Sequence, residues 1–146
     1  MKVFLAGIIQ GSIPKSTIHN QDWRGPIREA LSRHLPQAEV YCHYSCHPAS
    51  IDYEMPEIRA TLSDGIEKAA QSDLVVAFVP SASMGTALEI YEAYRRGAAV
   101  VTISPLSANW VLRVYSDALL PDMAAFEDYL SSGSLQRLLE SKKRSD

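Results

Sequence analysis

Three runs of apolar residues constrain the fold of this chain more than any other feature: Val3 to Ile9, Leu74 to Val79 and Ala99 to Ile103. None alternates apolar with polar positions, so each needs cover on both faces, as strands have in parallel sheets flanked by helices. The segments between them carry helical spacing. Ile27, Ala30, Leu31 and Leu35 form one stripe, with Gly25-Pro26 near its start and Pro36 closing it, and Ile58, Leu62, Ile66 and Ala69-Ala70 form another. Met84 to Arg96 reads as a third helix ended by Gly97. Ala38 to His43 reads as a second strand, Ala108 to Tyr115 as a helix, Ala118 to Leu120 as a short last strand, and Met123 to Leu139 as one closing helix. Tyr44 to Met55 has no period and reads as a mobile loop. The alternation predicts an α/β fold: a flavodoxin-like, doubly wound parallel sheet of four or five strands in one domain over residues 1–139, with a charged, frayed tail at 140–146.

Composition narrows the partners. The 146 residues carry a formal net charge of -3, and the basic residues are scattered rather than striped, which argues against nucleic acid or an anionic membrane surface. No apolar run approaches the ~20 residues that span a bilayer, and the start shows no signal-peptide pattern, so a cytoplasmic location and a small-molecule substrate are expected. Cys42 and Cys46 are then expected as reduced thiols.

In open parallel sheets ligands bind beyond the carboxyl ends of the strands. Those ends nominate Gln10, Gly11 and Ser12, then His43 to Tyr53, then Ser81, Ser83 and Gly85 with Glu89 a turn on, and finally Ser104, Ser107 and Asn109. The loop Ser81-Ala82-Ser83-Met84-Gly85-Thr86 offers hydroxyls and free backbone N–H groups at a helix start, which suits phosphate or serves as a plain helix cap. No lysine follows the glycine, so it is not a Walker loop. Glu89 is either a crevice carboxylate or, with Glu92, part of a solvated face balancing Arg95 and Arg96.

The string SDLVVAFVPSASMGTALEIYEAYRRGAAVV resembles the pattern of the nucleoside 2-deoxyribosyltransferase superfamily: Asp, apolar strand, short loop, Gly-Thr-Ala-x-Glu, and a helix closed by Gly before the next strand. FLAGIIQGS is similar to the N-terminal strand and phosphate-side loop of its nucleoside 5'-monophosphate N-glycosidases, which include cytidylate N-glycosidases, and the likeness extends from Lys2 to about Ser116. The resemblance implies that Glu89 is the nucleophile that attacks the anomeric carbon, giving a glycosyl-enzyme. It implies that Asp64, within one residue of alignment slack, assists the departing base. It makes Phe4, Gly7, Ile9, Gln10, Gly11, Ser12, Ser83 and Gly85 candidate substrate contacts, beside His43, which with His47 is read from its place after the second strand as lining the loop over the base, and it makes Ser107 or Asn109 the residue that completes a neighbouring site across a homodimer. Ser83 stands where transferases of free nucleosides tend to carry aspartate. A carboxylate there repels a 5'-phosphate, whereas a hydroxyl donates to it. Gln10 replaces an arginine of some relatives, and Phe4 a tyrosine whose hydroxyl contacts the glutamate; that loss leaves room for a ribose 2'-hydroxyl, unless Phe4 is simply core.

Cys42-His43-Tyr44-Ser45-Cys46-His47 crowds four soft ligands together, yet its spacing fits no two-plus-two zinc pattern, so no metal is expected. No GxGxxG follows the first strand and no serine sits in a nucleophile elbow, and no cofactor is expected. The reading is hydrolysis of a nucleoside 5'-monophosphate at its N-glycosidic bond. The alternatives are base exchange between nucleosides and a catalytically inactive nucleotide-binding or sensor domain.

Overall fold

The computed structural model describes residues 1–11 and 13–144. It has a five-stranded, all-parallel sheet made by β1 (Lys2–Gly7), β2 (Glu39–Cys42), β3 (Leu74–Phe78), β4 (Ala99–Ile103) and β5 (Ala118–Leu120) in the order β2-β1-β3-β4-β5. Helices α1 (Arg24–His34), α2 (His43–Cys46), α3 (Met55–Ala70), α4 (Met84–Arg95), α5 (Trp110–Tyr115), α6 (Met123–Ser131) and α7 (Ser134–Lys143) connect and cover it. This is the flavodoxin-like α/β arrangement that the apolar runs predict.

Side chains of a strand alternate between faces, and β1 shows how this chain uses both. Val3 and Leu5 pack with Ile27 and Leu31 of α1 and with Phe126, Leu130 and Leu135 of α6 and α7. Phe4 and Ala6 pack on the other side with Ala69 of α3, Ile90 and Ala93 of α4, and Leu112 of α5. The chain therefore goes to one face after β1 and to the other after β2 and β3. The crevice between the ends of β1 and β3 is the switch point, and a ligand site belongs there.

Local differences from the sequence-based expectation have identifiable causes. The stretch after β2 is a short helix, α2, and a 3₁₀ turn at Ser50–Asp52 rather than an irregular loop. The closing helix is two: Gly133, at φ 71°, adopts the left-handed conformation that breaks α6 from α7, and α7 continues to Lys143 where a frayed tail is expected. Residues 145 and 146 of that tail lie outside the described residues. α3 begins with a capping box in which Glu54 and Glu57 accept reciprocally from backbone N–H groups, with Pro56 in its first turn. Among the described residues no helix is long and apolar enough to cross a membrane.

Candidate active site

A pocket of about 610 Å³ opens at the switch point. Gly7, Ile9, Gln10 and Gly11 line it from the end of β1, and Ser83, Met84, Gly85, Thr86 and Glu89 from α4. The opposing wall comes from His43 on α2, Tyr53, and Ile58, Thr61 and Leu62 of α3. The spacing of 58, 61, 62 and 65 is one helical face, so α3 presents an apolar stripe ending at Gly65.

The start of α4 turns hydrogen-bonding groups toward the pocket. Ser83 is the N-cap residue in an extended conformation, and its carbonyl accepts from Ala87 N at 3.0 Å, but its side chain makes no cap bond. Instead Ser83 Oγ shares a 2.9 Å hydrogen bond with Thr86 Oγ1. The first-turn N–H groups are left without a side-chain cap and carry the positive end of the helix dipole. Gly85 faces open space, so nothing covers them from that position. No lysine or arginine is among the described residues that line this pocket.

Glu89 lies four residues beyond Gly85, on the same helix face, and a helical side chain leans back toward the N-terminus. With no side chain at Gly85, the carboxylate is open to the pocket. It is half-buried by accessible surface, the exposed part facing the pocket, while protein encloses the rest; that desolvation pushes its pKa up to about 8, against the pull of Arg24. The position that a Cβ on Gly65 would occupy is 3.5 Å from Glu89 Oε1 and 3.1 Å from His43 Nδ1. A bare glycine on α3 is what allows α2 and α4 to bring these two groups together.

Arg24 was not legible as a site residue, because its place at the start of α1 reads as an ordinary solvated helix end. It is 6% exposed. Its guanidinium donates from Nε to Gln21 Oε1 at 2.8 Å and from Nη1 toward Cys42 Sγ at 3.3 Å, and it lies between the Trp23 and Tyr44 rings at 4.1 and 5.3 Å from their centroids. Gln21 in turn donates to the carbonyls of Ile8 and His19, tying the loop after β1 to the sheet. Burial raises the Cys42 thiol, but Ser45 and Arg24 outweigh it and leave its pKa lowered.

Several sequence candidates lie elsewhere. Asp64 pairs with Lys68, its side chain 44% exposed, and is not in the pocket lining, because one helical residue before Gly65 is turned ~100° from the pocket face. Phe4 is fully buried and stacked on Tyr41 at 5.5 Å, a core residue in mid-strand rather than part of the pocket lining. Asn109 caps α5, accepting from Leu112 N at 3.2 Å, and Ser107 is exposed; neither lines this pocket, although Asn109 lines a smaller cavity that shares Ser83 and Met84. Ser12 lies outside the described residues. The Cys/His cluster diverges: Cys42 turns into the core and Cys46 to solvent, while the His43 and His47 rings lie 4.8 Å apart with their planes tilted by 34°. Among the described residues no group of three metal-binding side chains converges.

No family model matches the chain, and no curated protein matches it significantly. Solved structures do. A 2-deoxyribosyltransferase from Bacillus psychrosaccharolyticus superimposes with a TM-score of 0.65 at 15% identity, covering 88% of this chain and 92% of that one. This chain has the fold of the 2-deoxyribosyltransferases. A conserved protein from Enterococcus faecalis V583 matches with a TM-score of 0.59 at 17% identity, covering 90% of this chain and 98% of that one. The CMP N-glycosidase of Clostridium botulinum matches with a TM-score of 0.51 at 20% identity, with the same coverage.

Proposed function

We propose that this protein is a member of the nucleoside 2-deoxyribosyltransferase superfamily that hydrolyses the N-glycosidic bond of a nucleoside 5'-monophosphate, ribo or deoxyribo. The observation that carries the reading is the single helix α4, which offers uncapped N–H groups and the Ser83 hydroxyl at its start and Glu89 six residues on, all on one pocket. Six residues at 1.5 Å rise span about 9 Å, a length that a furanose 5-phosphate bridges with its anomeric carbon toward the carboxylate. Ionised Glu89 attacks C1', the C1'–N bond breaks with its electron pair leaving on the base, and water then cleaves the glycosyl ester, regenerating the carboxylate. Gln10 and Gly11 flank the phosphate end. Asp64 touches the base only if its side chain leaves Lys68 and turns toward the pocket.

Ser83→Asp tests the phosphate end. The added carboxylate faces an anion with no cation nearby, so KM for a nucleotide should rise at least tenfold, with a far smaller change for the free nucleoside. Equal changes for both would place the phosphate elsewhere. Base exchange is the second reading, supported by the likeness to a 2-deoxyribosyltransferase. Turnover of free nucleosides only when a second base is supplied would favour it over hydrolysis. An enzyme that binds nucleotides and releases no base from any would instead be a sensor.

A homodimer is part of the proposal. Met84, Leu88 and Tyr91 form an exposed apolar stripe along α4, and Trp110 (82% exposed), Val111 and Val114 continue it on α5. Such a patch beside a pocket marks an interface, and a second copy seated there brings Ser107 or Asn109 toward the neighbouring site. The double variant Trp110→Lys, Val114→Lys should sediment as a monomer where the native chain sediments as a dimer.

A further inference from the structure

We infer that His43, and not a carboxylate of α3, is the group that meets the departing base, donating a hydrogen bond from Nε2–H of a neutral imidazole held in place by His47 and Tyr53. The inference rests on the nucleotide-cleaving reading of this pocket and adds to it the residue opposite the nucleophile.

The wall facing Glu89 supports it. α3 presents Ile58, Thr61 and Leu62 there, while Asp64 pairs with Lys68 and, though near enough to bear on the charge of His43, is not among the described lining residues. Besides Glu89, the described titratable side chains that line the pocket are His43 and Tyr53. His43 Nδ1 and Glu89 Oε1 both lie within 3.5 Å of the point that a Cβ on Gly65 would occupy, so the imidazole stands within reach of a sugar whose anomeric carbon meets the carboxylate.

The ring has one orientation and one cheap protonation state. Nδ1 is buried without a hydrogen-bond partner, and the Nδ1–Cε1 edge sits over Gly65, so the edge presented to the pocket is the one bearing Nε2. A proton on Nδ1 would be a buried donor with no acceptor, whereas a proton on Nε2 has the pocket before it. The doubly protonated form is disfavoured: burial, with His47, Arg24 and Lys68 nearby, lowers the His43 pKa to about 4 despite Asp64. His47 packs against the ring, with centroids 4.8 Å apart and planes tilted by 34°, and its Nδ1 shares a 3.2 Å hydrogen bond with Tyr53 Oη.

A neutral imidazole does not protonate the base. It stabilises the negative charge that develops as the C1'–N electron pair leaves, by a hydrogen bond to an acceptor beside the glycosidic nitrogen, such as a pyrimidine carbonyl. The proton that ends on the base comes from the water that hydrolyses the glycosyl ester, so the overall balance is nucleotide plus water giving base and sugar 5-phosphate.

The test compares leaving groups. Wild type, His43→Asn and His43→Gln are assayed on nucleoside 5'-monophosphates and on 4-nitrophenyl ribofuranoside 5-phosphate, whose phenolate departs without help. Base release from nucleotides should fall about a hundredfold in kcat for both variants, while nitrophenolate release falls less than about threefold. Equal losses on both substrates, or no loss on either, overturn the inference. Thermal melts report folding, and if neither His43 variant folds, Tyr53→Phe decides by the same comparison, with a smaller loss confined to nucleotides. A wild type that releases neither base nor nitrophenolate refutes the underlying reading, and the inference falls with it.

Discussion

Glu89→Gln should lower base release at least about a thousandfold and, at alkaline pH, leave a more stable protein. The first effect follows from removing the nucleophile while keeping its shape. The second follows from linkage. Folding raises the Glu89 pKa from 4.5 to about 8, so the native state holds its proton more tightly than the unfolded chain. The stability this contributes is fully present below about pH 4.5 and is lost progressively as pH rises through about 8. At about 1.4 kcal/mol per unit, and allowing for the solvent the carboxyl still meets, the native protein at pH 9 sits on the order of 3 kcal/mol below the glutamine variant. For a chain of this length that corresponds to a Tm difference of roughly 6–12 °C, and the difference should close toward pH 5. The same titration governs rate: attack requires the carboxylate, so kcat/KM in the native enzyme should climb about tenfold per pH unit and level off above about pH 8. Equal melting curves for the two proteins from pH 5 to 9 would show that Glu89 is not confined as the structure has it.

Arg24→Met should both weaken the fold and displace that rate profile. The guanidinium is a positioning group: it lies beneath the pocket, bonded to Gln21 and Cys42 and flanked by two rings, and its charge opposes the desolvation of Glu89. Methionine fills part of the volume but strands the Gln21 carbonyl and the Cys42 sulfur, at a cost of about 2–4 kcal/mol. Without the nearby cation the carboxyl holds its proton to still higher pH, so kcat/KM at pH 7 should fall about tenfold and recover toward pH 10. Arg24→Lys separates the two roles. It keeps the charge but loses the planar fork between Trp23 and Tyr44, so the rate profile should stay near its native position while the melting temperature drops. Facing Glu89 from the other elements are His43, neutral across Gly65, and no further described titratable side chain of the pocket lining except Tyr53.

The sheet was legible in the chain because Val3 to Ile9, Leu74 to Val79 and Ala99 to Ile103 admit few other fates, and the crevice followed from strand order. Ser83, Gly85, Glu89, Gln10, Gly11 and His43 were nominated by strand ends or by the resemblance, and all lie on one pocket. Their roles remain proposals. What escaped was orientation. Asp64 and Gly65 are neighbours in sequence, yet one pairs with Lys68 outside the pocket lining and the other lies against His43 and Glu89, and a one-residue slack in alignment cannot distinguish two helix faces. Phe4 was left between core and substrate contact, and the packing of α3 and α4 against β1 decides for core. Arg24 escaped for another reason: nothing local in a sequence shows that a polar side chain is gathered under tertiary structure.

The absence of lysine and arginine from the described lining of the pocket bears on how an anion would arrive there. The protein carries net negative charge, the Arg24 cation that bears on Glu89 is buried outside the described lining, and the positive pole in the lining itself is the partial charge of one helix end, whose field fades within a turn. A phosphorylated ligand would be drawn in by no long-range field. Its association rate should therefore be slow, in the range of unsteered encounters, and should not fall as ionic strength rises, so that selectivity is exercised after arrival, by fit at the helix start, rather than during approach.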